Sequence, residues 1–129
     1  MTQETTTGTG ESATVQLDSG DRISSFTARF PDGRVAGRAD FIEAQEGRAE
    51  RIFFHTEVDP EYGGRGFGVL LLREALADSI RQGVTVVPVC PLFARHLTKH
   101  GGEYVAEGGA YRTPRRADIG LVGRALKGD

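Results

Sequence analysis

A glycine-rich segment, Glu61-Tyr62-Gly63-Gly64-Arg65-Gly66-Phe67-Gly68, stands between an apolar strand pattern and a helical pattern. Glycines in such a turn let consecutive backbone N–H groups point into one space. The N-terminus of the following helix adds about half a positive charge, so the segment predicts a site for an anion such as pyrophosphate. A turn that only connects strand and helix is the alternative interpretation.

The spacing of these glycines excludes two common nucleotide-binding loops. The segment lacks the Lys-Ser/Thr ending of a nucleoside-triphosphate loop, which argues against Mg-dependent triphosphate chemistry. A dinucleotide fingerprint needs glycines at offsets of two and five. Counted from Gly64 or Gly66, the last of those positions is Val69 or Leu71, so that fingerprint fails as well.

Two side chains near the loop have types that can do chemistry. His55 ends an apolar strand, and a histidine is suited to act as a general base that takes a proton from an amine. Cys90 ends a second strand directly before a helix start, where the helix dipole favours a thiolate. The alternatives are a strand histidine that donates to a neighbouring carbonyl and a buried, inert cysteine.

Alternating apolar residues predict three strands before the loop. Phe26–Phe30 and Val35–Phe41 form an antiparallel hairpin around Pro31-Asp32-Gly33, and a third strand runs from about Ala49 to Val58. The centre of the third strand, at residues 52–54, is apolar on both faces and therefore belongs inside the sheet.

Regular alternation along this third strand also predicts which way its side chains point. It places His55 on the same face as Phe53 and Glu57, and it places Thr56 on the opposite face.

Helical and strand patterns alternate after the loop. One apolar stripe predicts a helix that ends at the cap residue Gly83. The stripe is formed by Val69, Leu72, Leu76 and Ile80. Residues 84–89 are continuously apolar, as a buried parallel strand is, and Pro88 interrupts its ladder on one side. A second helix over Leu92–His100 is expected to end at Gly101-Gly102.

The end of the chain predicts one more short helix. It spans Pro114–Lys127, with Thr113 as its cap and Ile119, Val122 and Leu126 on one face. These patterns divide the chain into three predicted parts. They are a disordered tail over residues 1–14, a compact domain over residues 15–105 and a C-terminal extension over residues 106–129.

Composition limits the class of protein. The chain has 129 residues, 38% of them hydrophobic, which is enough for one compact core. Sixteen Lys and Arg residues against 18 Asp and Glu residues give a net charge of −2, which argues against nucleic-acid binding. With no apolar run of about 18–20 residues and no signal-like start, we expect no membrane partner and a cytoplasmic location. The single cysteine excludes an internal disulfide, and no metal site is expected.

Three motifs in order resemble the GNAT acetyltransferase superfamily. They are the strand end His55-Thr56-Glu57-Val58, the loop Arg65-Gly66-Phe67-Gly68 and the strand end Pro88-Val89-Cys90. The chain is most similar to a small, single-cysteine subgroup, and the resemblance covers residues 22–104. It implies a compact α/β (α+β) fold, with a mostly antiparallel sheet, one splayed parallel strand pair and flanking helices.

The resemblance also implies acetyl-CoA as the cofactor. Backbone amides of the loop would bind its pyrophosphate, at Gly64, Arg65, Gly66, Phe67, Gly68 and Val69. Thr56, Glu57 and Val58 would offer backbone groups to the pantetheine arm. The superfamily's leading Arg/Gln position is Gly63 here, and Arg65 would compensate for the missing side chain.

The implied reaction is acetyl transfer to a primary amine of a small molecule or a protein side chain. His55 would be the base, and Cys90 would be the proton donor to the leaving thiolate or a transient acyl carrier. Many larger relatives carry a tyrosine on the helix after the splayed strand, whereas Tyr104 is expected just beyond that helix here. A CoA- or acyl-CoA-binding module with little turnover is the alternative, and a protein-interaction adaptor that uses the 114–127 helix is a third. The protein is expected to be a monomer or weak dimer.

Overall fold

The computed structural model describes residues 3–6, 12–46 and 48–128. In this part of the chain, seven strands form one sheet in chain order. The strands are β1 (Gln3–Thr6), β2 (Ser12–Asp18), β3 (Ser24–Arg29), β4 (Val35–Glu46), β5 (Arg48–Val58), β6 (Thr85–Pro88) and β7 (Ala110–Tyr111). The helices are α1 (Phe67–Gln82), α2 (Pro91–Ala106) and α3 (Arg116–Lys127), and a 3₁₀ turn spans Pro60–Tyr62.

The pairing within the sheet confirms the predicted fold class. Strands β1 to β5 pair antiparallel, and β5 pairs parallel with β6. The predicted hairpin is β3–β4, and β5 lies inside the sheet between β4 and β6. A second parallel pair, β6–β7, was not expected from the sequence, because β7 has only two residues.

Two apolar clusters cover the two faces of the sheet. Phe53 of β5, Leu71 of α1 and Phe93 of α2 belong to the larger cluster. Ile52 of β5 and Val122 of α3 belong to the smaller one. We therefore call these the α1/α2 face and the α3 face. The Phe53 and Phe93 rings stack at 4.5 Å between centroids, so α2 is held directly over β5.

The predicted disorder of residues 1–14 is wrong where the structure describes them. Residues 3–6 form β1, and β2 begins at Ser12. Ala13 and Val15 are fully buried in the larger cluster, and two small apolar residues suffice to order this strand because β3 pairs with it over five residues. The other positions of that prediction, residues 1, 2 and 7–11, lie outside the described residues.

Helix α2 does not end at Gly101-Gly102, contrary to the prediction. It continues to Ala106 through a local kink at His100, where φ is −123° and ψ is 16°. Gly101 is buried, and a Cβ atom there would overlap the Tyr111 ring, so this glycine serves close packing against β7 rather than helix termination. Tyr104 is therefore inside α2.

The predicted C-terminal helix is present as α3, but its cap and its buried face differ from the prediction. The N-cap is Arg115 rather than Thr113. Of the three apolar residues expected to face inward, only Val122 is buried, whereas Ile119 and Leu126 are 59% and 61% exposed. Leu121 and Ala125 pack partly buried against the smaller cluster, and polar contacts add to the attachment.

Arg112 joins the chain before α3 to the sheet. Its guanidinium donates to Glu50 of β5 at 2.8 and 2.9 Å and to Asp118 of α3 at 2.8 and 2.7 Å. These hydrogen bonds lower the pKa of Glu50 and that of Asp118 below their ordinary values. The guanidinium of Arg112 is thus fully engaged in a structural contact between β5 and α3.

Candidate functional site

A β-bulge in β5 changes the direction of its side chains. Phe41 pairs with Phe53, but the next β4 residue, Asp40, pairs with His55, so β5 carries one extra residue, Phe54. Phe53 and Val58, five positions apart, both pack in the α1/α2 cluster, which regular alternation forbids. The prediction that His55 shares a face with Phe53 is therefore wrong, although His55 and Glu57 still share a face.

The two parallel strands separate beyond the bulge. Register between β5 and β6 ends at Phe53 and Pro88. The amides of Val89 and Cys90 both donate to the Phe53 carbonyl, at 2.9 and 2.8 Å, while β5 runs on to Val58. The proline cannot donate to the ladder, so its position agrees with the predicted interruption. We call the resulting space, beside residues 54–58, the β5–β6 gap.

Backbone groups of β5 face this gap. The Asp59 amide donates to Ala36 of the β4 side at 2.8 Å, and the Glu57 carbonyl approaches Gly37 so closely that a Cβ atom there would lie 2.7 Å from it. Because successive residues of a strand point in opposite directions, the N–H and C=O groups of Thr56 and Val58 point away from β4. Of the three predicted pantetheine contacts, Thr56 and Val58 are thus placed to offer backbone groups, whereas the carbonyl of Glu57 faces β4.

The glycine loop lies next to the gap. Gly64 and Gly66 have φ values of 78° and 84°, and a Cβ atom at either would meet nothing within 4 Å. In the described part of the chain, no backbone or side-chain acceptor bonds the six amides of residues 64–69; the first helical bond is from Leu70 to the Gly66 carbonyl, at 3.0 Å. Six consecutive donors at an uncapped helix N-terminus suit an anion. We call these six amides the amide cradle.

Aromatic packing fixes the amide cradle to the core. The Phe67 side chain is 1% exposed and meets the rings of Phe30 and Tyr62 edge-on. Phe67 therefore contributes its backbone amide to the amide cradle, and its side chain anchors the loop in the core. Arg65 is exposed, and its guanidinium stands 5.7 Å from the centroid of the Tyr62 ring. Gly68 lies between Val58 and Leu92, so the loop, the end of β5 and the start of α2 meet there.

Cys90 lies on the α1/α2 face of the gap. It is the N-cap residue of α2, is 4% exposed and belongs to the larger apolar cluster. Its sulfur is 3.3 Å from the hydroxyl oxygen of Thr56. The sequence predicted the placement of Cys90 at a helix start, but not the Thr56 contact, since regular alternation puts Thr56 on the other face.

His55 lies on the opposite face, among charged groups. It pairs in register with Asp40, and its own side chain is exposed. Arg38 donates to Asp40 at 3.1 Å and is 3.2 Å from Glu57. The structure thus does not bring His55 and Cys90 to one face; it puts them on the two sides of the same strand end.

A groove missed by the sequence reasoning runs between α1 and α2. It has a volume of about 680 Å³, an apolar floor that includes Val69 and Leu92, and cationic walls that include Arg73, Arg95 and Lys99. Burial lowers the pKa of His96, which also lines the groove, and the charge of His100 lowers it further. The regular spacing of Arg and Lys residues on α2 was the feature of the sequence that could have indicated this groove.

Tyr104, although inside α2, does not face the gap. Its hydroxyl donates to the Leu76 carbonyl of α1 at 3.1 Å, and burial raises its pKa to about 12. The prediction that Tyr104 lies just beyond this helix is wrong, and the contact that its hydroxyl makes with α1 is structural.

No cluster of three or more His, Cys, Asp or Glu side chains with metal-binding geometry occurs among residues 3–6, 12–46 and 48–128. No helix in that part of the chain has the length and apolarity needed to cross a membrane.

These features define an α/β domain with a glycine loop, at an uncapped helix N-terminus, beside a splayed parallel strand pair. Residues 25–107 match the family model described as GCN5-related N-acetyl-transferase. The chain belongs to the GCN5-related N-acetyltransferase family, and the resemblance read from its motifs is confirmed.

One solved structure agrees with this fold. An acetyltransferase of Trypanosoma brucei superposes with a TM-score of 0.50 at 23% identity, over 73% of this chain and 65% of that one. A ribosomal-protein-alanine N-acetyltransferase from Brucella melitensis biovar Abortus 2308 gives a TM-score of 0.47 at 14% identity, over 83% of this chain and 62% of that one. This chain therefore spans less than two thirds of each of those proteins. No curated protein matches it in sequence.

Proposed function

We propose that the protein transfers an acetyl group from acetyl-CoA to a primary amine. The observation that carries the proposal is the amide cradle, which opens directly beside the β5–β6 gap. A pyrophosphate held by the cradle directs its attached chain along the end of β5. There the outward backbone groups of Thr56 and Val58 offer a pantetheine arm the hydrogen bonds of a missing strand.

The nucleotide end of CoA fits the groove between α1 and α2. Val69, which lines the groove, also ends the amide cradle, so the two sites are continuous. The apolar floor suits an adenine ring, and Arg73, Arg95 and Lys99 suit a ribose phosphate.

We therefore expect Arg95→Gln to weaken acetyl-CoA binding severalfold at low salt. Arg124→Gln, which removes an exposed arginine from α3 on the other face, is the matched control and leaves affinity unchanged.

The division of His55 and Cys90 between two faces suits a reaction across the gap. The amine nitrogen attacks the thioester carbonyl carbon from the α3 face, where His55 accepts the proton that the amine loses. The carbon–sulfur bond then breaks, and Cys90 on the α1/α2 face gives its proton to the leaving thiolate. The products are the acetylated amine and CoA with a free thiol. His55 then loses its extra proton to solvent and Cys90 takes one up from solvent, which restores both groups. Transient acylation of Cys90 is the other route that this position allows.

Charge on the α3 face bears on the acceptor. His55 stands among Asp40 and Glu57, with Arg38 as their cationic partner. Of the two carboxylates only Glu57 is exposed, so an acceptor that carries a positive charge meets this carboxylate beside His55. The His55 side chain is exposed, so the acceptor can be as large as a protein side chain. Residence in the cytoplasm is part of the proposal and rests on the single, reduced cysteine.

Calorimetry with acetyl-CoA and a panel of amines tests this function. We expect binding, followed by release of CoA thiol that depends on the amine. Cys90→Ala should bind acetyl-CoA like the original protein but release thiol about 10²-fold more slowly. Binding without turnover on any amine would favour the CoA-binding module instead. The absence of binding would contradict both functions.

A further inference from the structure

The Thr56–Cys90 contact spans the β5–β6 gap. Thr56 lies three residues beyond the last β5 residue that pairs with β6, and Cys90 lies two residues beyond Pro88. The hydroxyl oxygen and the sulfur are nevertheless 3.3 Å apart. The Phe54 bulge causes this proximity, because without the extra residue Thr56 would point to the α3 face.

The start of α2 gives the Cys90 sulfur little help of its own. As the N-cap residue, Cys90 is where a side chain ordinarily accepts a hydrogen bond from the helix amides, but its sulfur makes no such bond. The next residue, Pro91, has no N–H to offer. In the described part of the chain, the Thr56 hydroxyl is thus the side-chain hydrogen-bond partner of the sulfur.

We propose that Thr56 is a positioning residue that donates its hydroxyl hydrogen to the Cys90 sulfur and holds it at the gap. A donated hydrogen bond stabilises the sulfur after it has lost its proton. This effect assists Cys90 in the role assigned to it under the proposed function, on which the inference rests. The threonine acts through its side chain, separately from the backbone groups that face the pantetheine arm.

Alkylation of Cys90 by iodoacetamide tests the inference without any acetyl transfer, and the single cysteine makes the reaction specific. Removing the hydrogen-bond donor in Thr56→Val should move the pH of half-maximal alkylation upward by about one unit. That shift corresponds to about tenfold slower reaction at pH 7. Thr56→Ser retains a hydroxyl and should restore the original profile.

Thr85→Val is the matched control. Thr85 is a buried threonine of the neighbouring strand β6, and its hydroxyl has no hydrogen-bond partner among the described residues, so its removal should leave the alkylation profile unchanged. If Thr56→Val does not fold, Thr56→Ala carries the same expectation. An unchanged profile in a folded Thr56 variant, or failure of Thr56→Ser to restore it, would overturn the inference.

The result is separable from the proposed function. If Thr56→Val shifts the profile while Cys90→Ala retains full acetyl transfer, then Thr56 positions the sulfur but the sulfur has no part in the reaction. If both variants lose activity, the two proposals stand together. For Thr56→Val we expect a lower kcat with an unchanged Kd for acetyl-CoA, because the backbone groups of Thr56 remain.

Discussion

Replacing Gly66 by alanine tests the amide cradle most directly. Its φ of 84° is in the left-handed region, which costs an L-residue about 1–2 kcal/mol. A Cβ atom there would meet no atom of the protein within 4 Å, so the folded state loses no packing. Relief of the strained φ would turn the amides of the cradle away from their common direction. We therefore expect acetyl-CoA affinity to fall at least tenfold, which is about 1.4 kcal/mol.

Gly83 provides the matched control, because it caps the other end of the same helix. Its φ is 68°, and a Cβ atom there also meets nothing within 4 Å. Gly83→Ala and Gly66→Ala should lower the melting temperature by similar amounts, roughly 3–10 °C. Calorimetric titration should show a loss of acetyl-CoA affinity in Gly66→Ala alone. Unchanged affinity in Gly66→Ala would refute the assignment of the cradle, and an equal loss of affinity in both variants would trace the effect to stability.

Two further predictions concern the polar contacts that hold the helices. Arg112→Met leaves Glu50 and Asp118 buried without their cation, so we expect a loss of about 3–5 kcal/mol at pH 7 in urea unfolding. Arg112 lowers the pKa values of both carboxyl groups in the folded state, so its contribution to stability is complete above pH about 4.5, the higher of their two ordinary pKa values. This contribution disappears as the pH falls through the lowered pKa values of the folded state. An equally large loss of stability at pH 2 would contradict this reasoning. Tyr104→Phe removes the bond to Leu76 and should cost about 1 kcal/mol of stability with kcat unchanged, whereas a large fall in kcat would make Tyr104 the proton donor.

Local chemistry made much of the fold predictable. Alternating apolar residues located β3, β4 and β5 because one face of each strand is buried. Gly83 ended α1 because it takes a left-handed conformation that other residues avoid, and Pro88 ended the ladder of β6 because it has no N–H. The position of the glycine loop followed from the same local rules.

Features set by distant contacts could not be predicted in this way. The Phe54 bulge has no signature in the strand itself, yet it decides which face receives His55 and which receives Thr56. Gly101 resembles a helix stop but is required by the Tyr111 ring, which arrives from a later strand. The burial of Ala13 likewise depends on its pairing partners rather than on local hydrophobicity.

The separation of His55 from Cys90 by the thickness of one strand has a kinetic consequence. The amide cradle opens on one side of the sheet, and the amine would enter from the other. Neither ligand then blocks the entrance of the other, so either can bind first and either product can leave first. Initial-rate plots at several fixed amine concentrations should intersect to the left of the ordinate, and excess amine should not inhibit by occupying the entrance used by acetyl-CoA.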